Sequence, residues 1–527
     1  MRLLPAFLSR GAWRRLLTTA RAAHAGRRGA IAALVVVPIA TGAWTLQRAA
    51  EQRGAALLEQ VMTLVMLRYA DTLSAQALYE RAARGVVREL QDPYSELLTP
   101  ADLADFERTT NGNYSGLGVL LTPPVNGAVT IEKVYDGTPA AEAGVQPGDR
   151  IVRIDDSSSV GWSTERVHRH LVGQDGTPVV VHFERAGFSE PLTHRFLRRR
   201  VHVSSVPFHL QLTQGVGYVP ITRFGEHTAQ ELRDALVALR AGGSRGVVLD
   251  LRGNPGGVVE EALATANLFL PRGAPLLEVR SREGTQRFGA ELAPLVQDVP
   301  LVVLLDGGSA SSSEIVAGAL KDNRRALLVG SRSYGKGLVQ TVYGLDEGYA
   351  LKITTGRWYT PSGRSISKLP DGTGAISPDV AVADDTLTSG ERALREALAP
   401  HAGAVYSHMT SIAQSAVQQR RARGAAPLRP GFAVDSAWGD SLFVRLRADN
   451  VPLTRAQFDA GRADIDRSFA QRVATLAQGD TLAFRVTSVW DAPLQRAVQL
   501  LERSATTAEL LRAAPRPAGS GDAGAGA

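Results

Sequence analysis

The sequence predicts an α/β protein with a β-rich module ahead of its main domain and a mostly helical extension behind it. Three observations carry that prediction. Short β-type runs broken by Gly and Asp fill residues 114–200 (GVLLT, AVTIEKV, DRIVRID, PVVVHFE). From Val201 strand-like and helix-like segments alternate: GVGYVPI before Ala229–Leu239, GVVLDL before Val258–Leu270, LVVLLD before Ser312–Leu320, then ALLVG. Alternation of this kind indicates strands joined through helices. After Ala383 the pattern turns partly helical. Thr454 and Gln457 are spaced for a capping box, and Phe458, Ile465, Phe469 and Val473 recur on one helical face.

At the N-terminus, residues 1–50 hold eight Arg and no acidic residue. Gly29–Leu46 is an 18-residue stretch without charge, and seven of those arginines precede it. A hydrocarbon core takes roughly 20 apolar residues to cross. The stretch therefore reads as an uncleaved signal anchor, with the signal peptide of a secreted protein as the alternative. The arginines stay on the cytoplasmic side and send the body across the inner membrane, towards the periplasm or cell-envelope space. Next, Gln60–Leu73 and Ala75–Leu90 carry apolar residues at helical spacing (Val61, Leu64, Val65, Tyr69; Leu78, Ala82, Val86), and DPYSELLTP at 92–100 is a Pro-bounded turn.

Composition bounds the chemistry. The chain has 527 residues, 44% of them apolar, enough for about three domains with cores of their own. It has no Cys, which excludes disulfides, thiolate metal sites and a cysteine nucleophile. Beyond residue 50 the other 477 residues carry 51 Lys+Arg against 52 Asp+Glu, so the net charge of +7 belongs to the N-terminus. The body has no basic excess for nucleic acid. The ten His form no HExxH pattern, and the reading calls for no metal and no organic cofactor.

In the β module, Gly116-Leu117-Gly118-Val119 resembles the carboxylate-binding loop of PDZ domains. Glycines there let successive N–H groups converge on one anion, and the strand edge that follows can add an extended peptide. TPAAEAGVQPGDRIVRID at 138–155 also resembles the PDZ domains of bacterial proteases, with a short helix leading through a Pro-Gly-Asp turn into a buried strand.

Three segments of the α/β part end strands and open glycine turns: Asp250–Gly257 (DLRGNPGG), Asp306–Ile315 (DGGSASSSEI) and Ser333–Gln340 (SYGKGLVQ). Each has an unremarkable explanation alone. Ser311 and Glu314 fit a helix capping box, DLRGNPGG a tight turn, and Lys336 a solvated lysine. Together they say more. The chain has 54 Arg and only five Lys, yet a Lys lies between Gly335 and Gly337. Residues 228–400 contain no His, so a serine nucleophile there needs another base. Lysine can serve once burial lowers its pKa, and arginine cannot. A rival S-x-x-K pattern at Ser365–Lys368, as in penicillin-binding enzymes, follows a strand and loop instead of opening a helix, and has no later K-T-G.

In order and spacing these motifs resemble the carboxyl-terminal processing (tail-specific) peptidases, serine proteases with a PDZ domain and a Ser-Lys dyad. The likeness runs from DPYS at 92–95 to Pro-Asp-Val at 378–380. It implies Ser311 as nucleophile, Lys336 as general base and Gln340 as the group orienting that lysine. It implies oxyanion donors at the backbone of Gly256, or its neighbour Gly257, and of Ser312, and a ClpP/crotonase-like β/α sandwich. It further implies cleavage of proteins with accessible C-termini. The rival class is a catalytically silent PDZ scaffold or adaptor, and an adaptor partner or a homo-oligomer is left open. One departure concerns gating: where many members have an arginine this chain has Val172, with Arg169 as a nearby substitute. The other is length. Asp491–Leu501 resembles the helix that closes the catalytic domain soon after Pro-Asp-Val, which makes 386–490 an insertion of unread role. The expected divisions are a basic segment 1–28, anchor 29–46, helical region 51–112, PDZ domain 113–200, protease domain 201–385, insertion 386–490, closing helix 491–514 and disordered tail 515–527.

Overall fold

The computed structural model describes residues 53–124, 127–185, 187–212, 215–368, 374–383 and 387–513. The expected basic segment and anchor, and the tail from 515, lie outside them. No helix among the described residues is long and apolar enough to cross a membrane. The chain separates into two compact units, divided after Leu97.

In the first unit a helix spans residues 53–68 and a second spans Ala75–Arg88. Ser74 caps the second by accepting from the Ala77 N–H at 3.2 Å. The first helix begins and ends several residues earlier than predicted. Val61, Leu64 and Tyr69, which the sequence places at helical spacing, are exposed. Periodicity had reported an apolar face, not what covers it.

In the second unit the β module is an antiparallel sheet of Val119–Leu121, Val129–Val134, Arg150–Ile154, Pro178–Glu184 and Leu192–Leu197, with helices Pro139–Glu142 and Thr164–Leu171. Val129, Ile131, Ile151, Val181 and Phe183 fill its core. The chain enters and leaves the module through one antiparallel pair, Asn113–Gly116 against Arg199–His202.

The main body is a six-stranded sheet. Val216–Pro220, Gly246–Asp250, Leu301–Leu305, Leu327–Gly330 and Val380–Ala381 run parallel, and Leu210–Gln211 adds an antiparallel edge. Gly246–Asp250, Leu301–Leu305 and Leu327–Gly330 are buried throughout, as expected of parallel strands covered on both faces. Val247, Leu249, Val303 and Leu305 pack towards helices Thr228–Ala241, Val259–Asn267 and Ser312–Asp322. Their neighbours Val248, Val302 and Leu304 meet Leu494, Ala497 and Leu501 of helix Ala492–Glu502 on the other face. A second, antiparallel sheet contains Pro275–Ser281, Gly284–Gly289, Leu338–Gly344 and Ala350–Tyr359.

Residues 389–487 form a helical region with its own apolar clusters. Thr454 and Gln457 make the capping box read from the sequence, at 3.2 and 2.9 Å. The predicted apolar face is buried, but it is shared between two helices, Arg455–Ala460 and Arg462–Gln478. They break at Gly461, where a Cβ would lie 2.4 Å from the Leu394 side chain. This region rests on the β module. Gln414 Nε2 donates to the Pro147 carbonyl, and Lys133 pairs with Asp480. A Cβ on Gly148 would meet the Thr410 side chain at 2.5 Å.

Candidate active site

The three glycine turns predicted from the sequence converge at the ends of neighbouring strands. Asp306 Oδ1 accepts from the N–H of Gly253 at 2.8 Å and of Gly308 at 2.9 Å, tying the first turn to the second. Asn254 is wholly buried. Its carbonyl accepts from Ala310 N–H and Ser313 Oγ, both at 3.0 Å, and its amide donates to the Ile221 carbonyl at 2.8 Å. A Cβ on Gly308 would lie 2.9 Å from the Gly253 Cα, so one turn closes on the other only with glycine there.

Ser311 stands at the head of helix Ser312–Asp322 with φ 54° and ψ −113°. A left-handed non-glycine residue costs of order ~1–3 kcal/mol and persists only where its surroundings enforce it. Here Gly256 enforces it from one side: a Cβ there would sit 2.8 Å from the Ser311 Cβ and 2.9 Å from the Ser312 N. The flanking serines are structural. Ser309 Oγ donates to the Leu251 carbonyl at 2.8 Å, Ser312 Oγ to that of Gly257 at 2.9 Å, and Ser313 Oγ to that of Asn254.

Glu314 supplies the other constraint. It is wholly buried, and its Oε2 accepts the Ser311 N–H at 2.8 Å and the Lys336 N–H at 2.9 Å. Its Oε1 takes the Ser333 hydroxyl at 2.5 Å and the Gly335 N–H at 2.7 Å. One carboxylate oxygen therefore holds the backbones of Ser311 and Lys336 two hydrogen-bond lengths apart. Burial raises the Glu314 pKa against the lowering effect of those four donors. Burial lowers the Lys336 pKa, with Lys352 acting the same way and Glu314 in opposition. The sequence showed Glu314 only as a capping residue. Nothing in its spacing indicated the turn 20 residues on that it also holds.

Two N–H groups stand beside Ser311 without an acceptor among the described residues, those of Ser312 and Gly257. The Gly256 N–H, the first choice from the sequence, donates to Asn254 Oδ1 at 2.9 Å. Gly257, with φ +146°, lies so close to Phe224 that a Cβ would be 2.1 Å from its carbonyl oxygen. Gln340 is on strand Leu338–Gly344, and its buried Nε2 has no partner. Next to the lysine turn, Ser365–Lys368 is loop, and Lys368 N–H donates to the Gly335 carbonyl at 2.9 Å.

Beneath the turns, Arg252 forms a bidentate pair with Asp491, the N-cap of helix Ala492–Glu502, at 2.9 and 2.7 Å. It also bonds Asp250, which accepts from Tyr218 Oη at 2.8 Å. Burial opposes the Arg252 charge, but the two carboxylates outweigh it and hold the guanidinium protonated.

The four residues of the predicted peptide loop belong to the β module. Gly116 ends a strand, Leu117 is in the core and Val119 begins the next strand. Gly118 has φ +83° and no room for a Cβ, which would meet the Thr138 Cβ at 2.3 Å. Val172 lies beside the loop, 3.5 Å from a Cβ placed on Gly116. Arg169 is 61% exposed and reaches Glu165 on its own helix at 3.4 Å.

Comparison with known proteins bears on the same segments. The profile of peptidase family S41 matches residues 215–382, and that of the PDZ domain matches residues 130–185. A carboxy-terminal-processing protease of Bartonella bacilliformis is 36% identical over 324 residues, 60% of this chain and 72% of that protein. A "Probable CtpA-like serine protease" of Staphylococcus aureus is 33% identical over 327 residues, 62% of this chain and 64% of that one. Among solved structures, the photosystem II D1 C-terminal processing protease is 30% identical, with 62% of this chain and 86% of that one covered and a TM-score of 0.39. The chain belongs to the carboxy-terminal-processing serine proteases of peptidase family S41, with a PDZ domain ahead of the protease domain.

Proposed function

We propose that the protein is a serine endopeptidase that cuts other proteins near their C-termini outside the cytoplasm, with Ser311 as nucleophile and Lys336 as general base. The observation that carries this reading is the Glu314 carboxylate, which fixes both backbones on a single oxygen beside a lysine whose burial favours the neutral amine. Neutral Lys336 takes the Ser311 hydroxyl proton as Oγ attacks the scissile carbonyl carbon. The oxyanion that forms is met by the N–H groups of Ser312, at a helix start, and Gly257. The lysine then gives its proton to the departing amine, and water releases the acyl group by the same steps in reverse order of roles. Gln340 positions the lysine through its amide oxygen, which adds no charge that would favour the ammonium.

In the same reading, residues 113–200 bind the substrate's C-terminus at Gly116–Val119 and gate the site. Residues 201–385 with the closing helix within 491–514 form the protease domain, and the insertion 386–490 braces the PDZ domain. The arginine-flanked apolar stretch at 29–46 supports a membrane anchor with the body in the periplasm or envelope. The test is incubation of the complete chain with an unfolded protein ending in apolar residues. Cleavage is expected from the wild type and not from Ser311→Ala or Lys336→Arg. Undiminished cleavage by Ser311→Ala would overturn the assignment.

A further inference from the structure

We propose that Trp358 is a positioning residue for the general base, its indole and backbone N–H groups holding the peptide units on the carboxyl side of Lys336 as Glu314 holds the one on the amino side. This rests on the reading of Lys336 as the base.

Lys336 lies between Gly335 and Gly337, and glycine gives a turn little stiffness of its own. The direction in which the lysine side chain leaves the backbone is then set by bonds from outside the turn. Each peptide unit is planar, so two planes meet at the Lys336 Cα and together fix where its Cβ points. The plane on the amino side is pinned at both ends. Lys336 N–H donates to Glu314 Oε2 at 2.9 Å, and the Gly335 carbonyl accepts from Lys368 N–H at 2.9 Å. The plane on the carboxyl side carries the Lys336 carbonyl, which accepts from Trp358 Nε1 at 3.0 Å. The Gly337 carbonyl, one plane further on, accepts from the Trp358 backbone N–H at 3.1 Å.

Trp358 is itself held firmly. It is buried, in the same core cluster as Leu277, Ile366 and Ile376. Its strand, Ala350–Tyr359, is paired on both sides: Trp358 is opposite Val279 on one neighbour, and Arg357 is opposite Leu338 on the other. Trp358 therefore carries the second ladder one residue beyond Leu338 and into the lysine turn. An indole N–H can only donate, and when buried it needs an acceptor. The Lys336 carbonyl is that acceptor. Ser367 and Lys368 crowd the same turn. A Cβ on Gly337 would lie 2.6 Å from Ser367 Oγ, and one on Gly335 would lie 2.9 Å from the Lys368 Cβ.

The two clamps differ in charge. The charges acting on Lys336 are those of Lys352, which favours the neutral amine, and Glu314, which favours the ammonium. The indole is neutral. Removing its N–H frees the plane on the carboxyl side of Lys336 without changing which protonation state is favoured. A base that spends part of its time out of reach lowers kcat, here by about tenfold, and leaves substrate binding alone. The signature is a lower plateau with KM and the pH–rate midpoint unmoved, whereas loss of the Glu314 charge moves the midpoint.

The experiment measures turnover of a free-acid peptide by the complete chain from pH 6 to 10. It compares wild type with Lys336→Arg, Trp358→Phe and Trp358→benzothienylalanine, the last putting sulfur in place of the indole N–H and keeping the shape of the ring. Circular dichroism at the assay temperature verifies that each variant is folded. Lys336→Arg is expected to be inactive, and both Trp358 variants to lose about tenfold in kcat with KM and midpoint unchanged. A benzothienylalanine variant within twofold of wild type beside an inactive Lys336→Arg would overturn the inference and leave the Ser-Lys reading standing. A loss that appears as a raised KM or a shifted midpoint would also overturn it, because Trp358 would then act on binding or on the lysine's protonation. Wild-type turnover by Lys336→Arg would overturn the Ser-Lys reading and the inference with it.

Discussion

Replacing Glu314 by Gln removes one charge and one acceptor from the point where the Ser311 and Lys336 backbones meet. The Ser333 hydroxyl can turn to accept from an NH2 at the Oε1 position, but the Gly335 N–H, now 2.7 Å from that oxygen, would then face a donor. A buried N–H left unpaired costs about 1–3 kcal/mol. The bonds at Oε2 to Ser311 and Lys336 persist but fall from charge-assisted to neutral, at roughly half the strength. Against these losses stands the relief of a buried anion, whose raised pKa shows that burial already strains it. The net expectation is about 2 kcal/mol, which at roughly 2 °C per kcal/mol in a body of this size lowers Tm by about 4 °C. If the same penalty falls on the reacting geometry, kcat drops roughly 30-fold, since each 1.36 kcal/mol is a factor of ten.

The pH profile separates this from simple loss of fold. Lys336 must be neutral to act, so wild-type activity rises with pH through a midpoint below the ordinary lysine value of about 10.4. The Glu314 charge raises the Lys336 pKa, so removing it should move that midpoint to lower pH even as the plateau falls. The assay is kcat for a free-acid peptide from pH 6 to 10, with thermal unfolding followed by circular dichroism. A variant with kcat within twofold of wild type and an unmoved midpoint would refute the bridging role of Glu314.

The remaining expectations are shorter. Lys336→Arg keeps charge and approximate reach but cannot release a proton, so its kcat should equal that of Lys336→Ala at every pH in single-turnover acylation. Gln340→Glu places a carboxylate where an amide stood, and a stabilised ammonium should carry the pH–rate midpoint upward, opposite to Glu314→Gln. Asp491→Asn leaves half of the pair with Arg252, whose side chain is 18% exposed. After discounting for solvent it should cost about 1–2 kcal/mol, read as a Tm about 2–4 °C lower with KM unchanged.

How much of this was legible in the sequence depends on how local each signal is. The strand–turn–helix segments at 250–257 and 306–315 could be read because a buried apolar run, a glycine turn and a helix start are all local events. Gly256 was read as an oxyanion donor, but the loop folds so that Asn254 takes its N–H, and the choice between adjacent glycines rests on a dihedral angle that residue type does not fix. Contacts between Gln414 and Pro147, or Arg252 and Asp491, bridge hundreds of residues between ordinary polar side chains, and no spacing rule predicts them. Glu314 is the instructive case. Its capping position was legible, but a capping carboxylate is normally solvated, and only the third turn folding over it makes it a buried anion. Once buried it must find donors for both oxygens, because an unpaired charge in that environment costs several kcal/mol. The Ser333 hydroxyl and the Gly335 and Lys336 N–H groups meet that demand, and in doing so set where the Lys336 backbone lies relative to Ser311. On the proposed roles, the desolvation that lowers the lysine's pKa and the desolvation that forces Glu314 to gather its donors are the same event: the closing of the 333–337 turn over the end of the sheet.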